Sequence, residues 1–109
     1  MTGEDASVVA FLAQGGHGCI SVTGNVAPAQ SAQLHAAWQS KDWATVERLR
    51  DQLMPLHHAL FLETSPAPVK YAANLLGLCS EELRLPVVPV TEPTRVAIRE
   101  AMVKAGVLN

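Results

Sequence analysis

Four histidines are the side chains of this sequence best suited to bind a metal ion or transfer a proton. They are His17, His35, His57 and His58. Their spacing fits no zinc pattern, and the two adjacent ones would point to different sides of a helix. We therefore predict that the chain holds no metal, and we expect histidines at the surface or at helix ends.

Two cysteines, Cys19 and Cys79, are the candidate nucleophiles. Cys19 lies in an apolar segment, where a thiol stays protonated and is a poor nucleophile. Two cysteines make no disulfide framework, so we expect free, buried thiols in a cytosolic chain. Glu63 and Lys70 flank a proline-rich turn. We interpret them as a pair that holds this turn against a helix rather than as catalytic groups.

Composition narrows the class of protein without identifying a function. The chain has 109 residues, of which 49% are hydrophobic and 17% charged, and its net charge is -2. These values predict one small globular domain with no basic surface for nucleic acid. No apolar run approaches the roughly 20 residues of a membrane helix, and the acidic N-terminus resembles no signal peptide. We expect a cytoplasmic protein with no nucleic-acid or membrane partner.

The first forty residues alternate between helix and strand. Residues 5–14 have apolar side chains at helical spacing and end at a glycine pair, and Asp5 is a plausible N-cap. Residues 18–23 are short and β-branched, which predicts a buried strand with Ile20 and Val22 on one face. Residues 28–39 predict a second helix that begins at a proline. This order is typical of a parallel α/β protein, but a single strand has nothing to pair with.

From residue 42 onward the pattern is helical. Asp42 predicts the start of a helix that runs to about Leu62, with a kink or a break at Pro55. A fourth helix begins at Pro68 and ends at Gly77. Residues 85–90 contain repeated apolar-proline steps, which predict an extended loop. Thr91 or Glu92 then begins a last helix that ends before Gly106 and buries Ile98, Met102 and Ala105.

The order of these motifs resembles the dihydrodipicolinate synthases, in the superfamily of N-acetylneuraminate lyase. The match covers essentially the whole chain. Ser65 stands where the family usually has asparagine, and Cys19 where valine is common. The motifs that carry the resemblance are, in order, Thr2-Gly3-Glu4-Asp5-Ala6, Gly15-Gly16-His17-Gly18-Cys19-Ile20-Ser21-Val22, Asn25-Val26, Leu53-Met54-Pro55-Leu56, Phe61 to Lys70, Leu85 to Val90, and Ala105-Gly106-Val107-Leu108.

The resemblance implies an α/β fold, namely the C-terminal piece of a (β/α)8 barrel plus a C-terminal helical extension. Residues 1–40 would be the end of the barrel, with a stub of the seventh strand, the seventh helix, the eighth strand and the eighth helix. Residues 41–109 would be the extension. A complete barrel takes about 250 residues. We therefore expect this chain to be mostly helical, to lack six barrel strands and to be inactive alone.

The family's reaction condenses pyruvate with aspartate semialdehyde to hydroxytetrahydrodipicolinate, at the entry to lysine biosynthesis. Pyruvate is held as an imine on a lysine, and no metal or cofactor is needed. The resemblance places that lysine outside this sequence, so Lys70 is not the catalytic amine and no catalytic residue is assigned. It implies two substrate-binding residues: Ile20 as a wall of the pyruvate pocket and Gly3 as a residue that leaves room there. Without the resemblance, we would interpret Ile20 as ordinary core and Gly3 as a turn glycine.

Two alternatives stay open. The chain could belong to another Schiff-base aldolase of the superfamily, such as N-acetylneuraminate lyase or a keto-deoxy-sugar aldolase, although these usually lack the motif Leu85-Pro86-x-x-Pro89-Val90. It could also be a truncated, non-enzymatic interaction piece with exposed barrel edges. The resemblance further implies that complete subunits form homotetramers as pairs of dimers.

Overall fold

Helices make up most of the structure, a computed structural model that describes all residues 1–109. Five α-helices follow one another, and a short 3-10 helix, Thr23–Asn25, lies between the first two. None of the helices is long and apolar enough to cross a membrane. The α-helices are α1 (Val8–Ala13), α2 (Pro28–Gln39), α3 (Trp43–Ala59), α4 (Ala67–Leu75) and α5 (Glu92–Ala105).

Helix α3 is the centre of the fold, because both α2 and α5 pack against it. Its buried side chains recur at helical spacing and include Leu49, Leu53 and Leu56, each at most 1% exposed. Ile98 and Met102 of α5 are fully buried as well, as the sequence predicted. The amide of Gln52 also donates a 2.7 Å hydrogen bond to the carbonyl of Ala105, which ties α3 to the end of α5.

Three helix ends, the start of α3 and the ends of α4 and α5, follow the predicted start and stop residues. Asp42 is the N-cap of α3, and its carboxylate accepts hydrogen bonds from the backbone N–H and the hydroxyl of Thr45. Gly77 and Gly106 follow α4 and α5 with φ of 75° and 82°, in the left-handed region that favours glycine.

Two details of α3 differ from the sequence prediction. Of the predicted kink or break at Pro55, the break was wrong, because the helix continues through this residue. Pro55 removes one N–H from the helix, but the carbonyl four residues earlier belongs to Asp51, which is exposed and can be hydrated. The helix also ends at Ala59, three residues before Leu62, because the last amides donate to carbonyls only three residues back.

The predicted strand at residues 18–23 is mostly absent. It is reduced to one parallel bridge between Thr2 and Cys19, and the 3-10 helix begins at Thr23. The prediction that Ile20 and Val22 share a buried face was wrong, because Ile20 is 72% exposed while Val22 packs against the core. A strand is stabilised by neighbours on both sides, and here the segment at Thr2 is its one neighbour.

We expect Leu56→Ala to lower the free energy of unfolding by about 2 to 5 kcal/mol, because it leaves a cavity between fully buried side chains. Urea denaturation measures this change. The matched control is Leu78→Ala at a side chain that is 65% exposed, where we expect a change within about 0.5 kcal/mol. Equal effects of the two substitutions would contradict the assignment of α3 as the centre of the core.

Candidate functional site

The two segments at Thr2 and Cys19 lie side by side and run in the same direction. The N–H of Thr2 donates to the carbonyl of Gly18 at 3.0 Å, and the N–H of Ile20 donates to the carbonyl of Thr2 at 2.8 Å. This is the slanted hydrogen-bond pattern of a parallel pair. Gly3 and Ile20 therefore follow at the adjoining carboxyl ends of both segments, which is where (β/α)8 barrels carry their active sites.

Gly3 lines an open cavity of about 480 Å³. A Cβ added to Gly3 would meet no atom within 4 Å, and Gly3 is not among the glycines with positive φ. Gly3 lies at a bend, as the turn-glycine interpretation expects, but its φ does not itself require glycine. The other residues around this cavity come from the segment after Gly3 and from the end of α3; they are Glu4, Asp5, Ala6, His57, His58, Phe61 and Leu62.

Ile20 projects into solvent. Its exposed fraction is 72%, so Ile20 is not part of the core that residues 1–109 form, and Met1, exposed to 76%, is likewise uncovered. Large aliphatic side chains with this much exposed surface form apolar patches that a ligand or another protein segment can cover. The prediction that Ile20 and Gly3 bind substrate remains a prediction.

The carboxylate of Asp5 organises the backbone directly after Ile20. Asp5 is only 7% exposed. One carboxylate oxygen accepts the N–H groups of Val22 at 2.9 Å and Thr23 at 3.2 Å, and the other accepts the hydroxyl of Ser21. The expectation that Asp5 caps α1 was wrong, because Ser7 precedes that helix and makes no capping bond. A buried carboxylate needs several donors, and the turn after Ile20 supplies more of them than a single helix end.

His57 links this turn to helix α3. Its Nδ1 lies 2.7 Å from the hydroxyl oxygen of Thr23, whose side chain is fully buried. His57 itself is 7% exposed, so the expected surface position was wrong for this histidine, whereas the expected helix-end position is confirmed, because it lies in the last turn of α3. Burial lowers the pKa of His57 below its ordinary value of 6.5; the charge of Asp5 opposes that shift, and His58 adds to it.

A second, small cavity of about 30 Å³ lies behind Asp5 and His57. Its polar residues come from four separate parts of the chain, namely Asp5, Ser21, the pair Ser31 and His35 on α2, and His57 on α3. The remaining walls are the apolar side chains of Val8, Leu34 and Leu53. The Asp5–His57 region is therefore polar on the inside and enclosed by apolar core.

The other candidate residues from the sequence lie apart from this region. Cys79 is exposed rather than buried, and Cys19 is partly buried. Glu63 and Lys70 do not pair: Glu63 accepts two hydrogen bonds from Thr91, while the amine of Lys70 donates to the carbonyl of Glu82. Of these two residues, Glu63 contacts the start of α5 and Lys70 does not.

No lysine lines the cavity at Gly3. The chain has three lysines, of which Lys70 is engaged with Glu82 and Lys41 and Lys104 are exposed. No group of three or more histidine, cysteine, aspartate or glutamate side chains is arranged to hold a metal ion.

Sequence reasoning missed the roles of Asp5, Thr23 and His57. One signal was available for His57, because it lies four residues after Leu53 and three before Leu60, on the buried stripe of its helix. Nothing local marks Asp5 as the partner of residues 16 to 18 positions away.

Cys19 should resist alkylation. Burial, then the charge of Asp5 and a hydrogen bond to it, raise the pKa of the Cys19 thiol from 9.0 to about 11. At pH 8 roughly one such thiol in a thousand is ionised, so we expect iodoacetamide to label the exposed Cys79 at least about tenfold faster. Mass spectrometry of tryptic peptides measures both rates, and Cys79→Ser isolates Cys19 as a control. Equal labelling would contradict the contact between Cys19 and Asp5.

Stability should fall as the pH decreases through the range in which histidine titrates. Because the pKa of His57 is lowered in the folded state, its contribution is complete above 6.5, the ordinary value, and is lost as the pH falls towards the folded pKa. Urea denaturation between pH 7.5 and 5.5 measures this loss. We expect His57→Asn, which cannot titrate, to flatten the dependence, whereas His17→Asn at an exposed histidine should leave it unchanged.

Comparisons with known proteins agree with this geometry. The sequence model of the dihydrodipicolinate synthetase family matches residues 1–105. Over all 109 residues the chain is 61% identical to 4-hydroxy-tetrahydrodipicolinate synthase of Bradyrhizobium diazoefficiens. Over the same length it is 62% identical to the synthase of Rhodospirillum centenum. The chain spans 37% and 38% of the lengths of these two relatives.

Solved structures show the same similarity. The crystal structure of dihydrodipicolinate synthase from Thermotoga maritima superposes with a TM-score of 0.93 at 42% identity, over 97% of this chain and 36% of that one. The enzyme from Acinetobacter baumannii gives 0.89 at 35% identity, over 97% of this chain and 36% of that one. The fold is therefore that of part of a (β/α)8 barrel, and this chain belongs to the dihydrodipicolinate synthase family.

Proposed function

We propose that this chain forms the closing part of a subunit that condenses pyruvate with aspartate semialdehyde to hydroxytetrahydrodipicolinate, in lysine biosynthesis. Residues 1–40 would complete the barrel, and residues 41–109 would be the helical extension that packs on it. The chain spans just over a third of its relatives, so the activity belongs to the assembled barrel and not to these residues alone.

The parallel pairing of Thr2 with Cys19 carries this proposal. It brings Gly3 and Ile20 to the same end of two adjacent segments, beside an open cavity. In a (β/α)8 barrel the carboxyl ends of the strands surround the active site. The exposed side chain of Ile20 would then wall the pyruvate, and the open space at Gly3 would admit it.

The imine chemistry requires an apolar wall beside the bound pyruvate. The nitrogen of a lysine bonds to the keto carbon of pyruvate and water leaves, which gives an imine. Loss of a methyl proton gives an enamine, whose carbon forms the new bond to the aldehyde carbon of the second substrate. An apolar side chain such as Ile20 would exclude water from the imine and limit its hydrolysis.

The imine-forming lysine would come from the part of the barrel that this chain does not contain. Lys70 is held by the carbonyl of Glu82, and neither Lys41 nor Lys104 lines the cavity at Gly3.

We propose that complete subunits act in the cytoplasm and assemble as dimers paired into tetramers. Sedimentation of the assembled protein would test the stoichiometry.

A chimera tests the function. In it, this chain replaces the segment that it matches in the Bradyrhizobium diazoefficiens synthase. We expect the chimera to condense pyruvate with aspartate semialdehyde and to be trapped by borohydride plus pyruvate. The chain alone should give no adduct, because it lacks the reactive lysine. Mass spectrometry of the trapped protein locates the modified residue.

Two results would contradict the proposal. One is a folded chimera without condensation activity, and the other is a stable adduct on Lys41, Lys70 or Lys104. Ile20→Ala in the chimera tests the pyruvate wall. We expect its KM for pyruvate to rise roughly tenfold, because methyl groups that would contact the substrate are lost. Val96→Ala, at a side chain of α5 that is 46% exposed, is the matched control and should leave KM unchanged.

A further inference from the structure

The hydrogen bond between Thr23 and His57 has a defined direction. The side chain of Thr23 is fully buried, and its hydroxyl is bonded to Nδ1 of His57 at 2.7 Å. A buried hydroxyl hydrogen needs an acceptor, and this ring nitrogen is the one the structure offers it. The hydroxyl therefore donates, Nδ1 accepts, and the neutral imidazole carries its hydrogen on Nε2.

Every other polar group of Thr23 is also engaged. Its N–H donates to the carboxylate of Asp5 at 3.2 Å. Its carbonyl accepts the N–H groups of Val26 at 3.0 Å and Ala27 at 2.9 Å. Thr23, three residues after Ile20, is therefore held in one position. His57 is the residue of α3 that forms a hydrogen bond with its side chain.

We propose that His57 is a positioning residue for pyruvate binding, which acts through Thr23 to hold Ile20 beside Gly3. This inference rests on the proposed function, because it assumes that Ile20 walls the substrate. It also assigns a role to the helical extension: α3 reaches the end of the barrel segment and fixes the turn that carries the wall.

Protonation of His57 would break this arrangement. An imidazolium donates from both nitrogens, so Nδ1 could no longer accept the hydroxyl hydrogen of Thr23. That hydrogen would be buried without a partner, which is costly. The charged and titratable groups facing His57 are Asp5 and Glu4 on the segment after Gly3, His35 on α2 and His58 on α3. Pyruvate affinity should therefore weaken as His57 becomes protonated.

Variants of the active chimera distinguish a positioning role of His57 from a purely stabilising one. His57→Leu and Thr23→Val both remove the hydrogen bond, and we expect each to raise KM for pyruvate roughly tenfold with less than about a twofold change in kcat. His57→Asn keeps an acceptor oxygen close to the position of Nδ1 but cannot titrate. It should restore the normal KM at pH 8 and abolish the further rise in KM between pH 8 and pH 6. His17→Asn is the matched control at an exposed histidine.

The proposal would be overturned by an unchanged KM in both His57→Leu and Thr23→Val, or by a His57→Asn variant whose KM follows the same pH profile as the unmodified chimera. A fall in kcat that matches the loss of folded protein, with KM constant, would reduce His57 to a structural residue and overturn it as well.

Amide hydrogen exchange in the 109-residue chain itself keeps this inference distinct from the proposed function. We expect His57→Leu to speed exchange at the amides of Val22 and Thr23 at least about tenfold, and His17→Asn to leave it unchanged. If the unmodified chimera is inactive but this exchange effect is present, the proposed function fails, whereas the coupling between His57 and the turn at Val22 and Thr23 stands. If exchange is unaffected, the coupling is refuted whatever the chimera does.

Discussion

The carboxylate of Asp5 is the constraint on which the arrangement of the site depends. A buried negative charge is tolerated only when several donors surround it. Here the donors are the hydroxyl of Ser21 and the N–H groups of Val22 and Thr23, so the chain must turn around the carboxylate. This turn ends the strand immediately after Ile20. The same contacts hold Asp5 and its neighbour Gly3 beside that strand end.

Helix α3 extends this constraint into the rest of the molecule. Through His57 it contacts the turn, and its leucines pack between α2 and α5. The end of α5 is held in turn by the hydrogen bond from Gln52 to Ala105. The positions of Gly3 and Ile20 therefore depend on helices that lie far from them in the sequence. This dependence physically connects helix α3 to the paired segments at Thr2 and Cys19.

The exposure of Ile20 follows from the small number of strands. Two paired segments leave both outer edges and one face uncovered, and a β-branched residue such as Ile20 on that face has no packing partner. In a closed barrel the strands on either side would cover the edges, and the enclosed space would become the pocket. Membership of a barrel family explains why Ile20, a residue type typical of buried strands, is exposed in this chain.

Local sequence patterns predicted most of the helix positions, and the order of motifs predicted the family. Periodic leucines in α3, the cap at Asp42 and the glycines after α4 and α5 act over a few residues, so local patterns predict them. Contacts between distant parts of the chain set the remaining features. The predicted strand is reduced to a single bridge because strand pairing needs neighbours. Asp5 bonded to the distant turn at residues 21–23 rather than to its own helix, and the buried His57 found its hydrogen-bond partner in Thr23. Such partners lie 16 to 34 positions apart, beyond the reach of any local pattern.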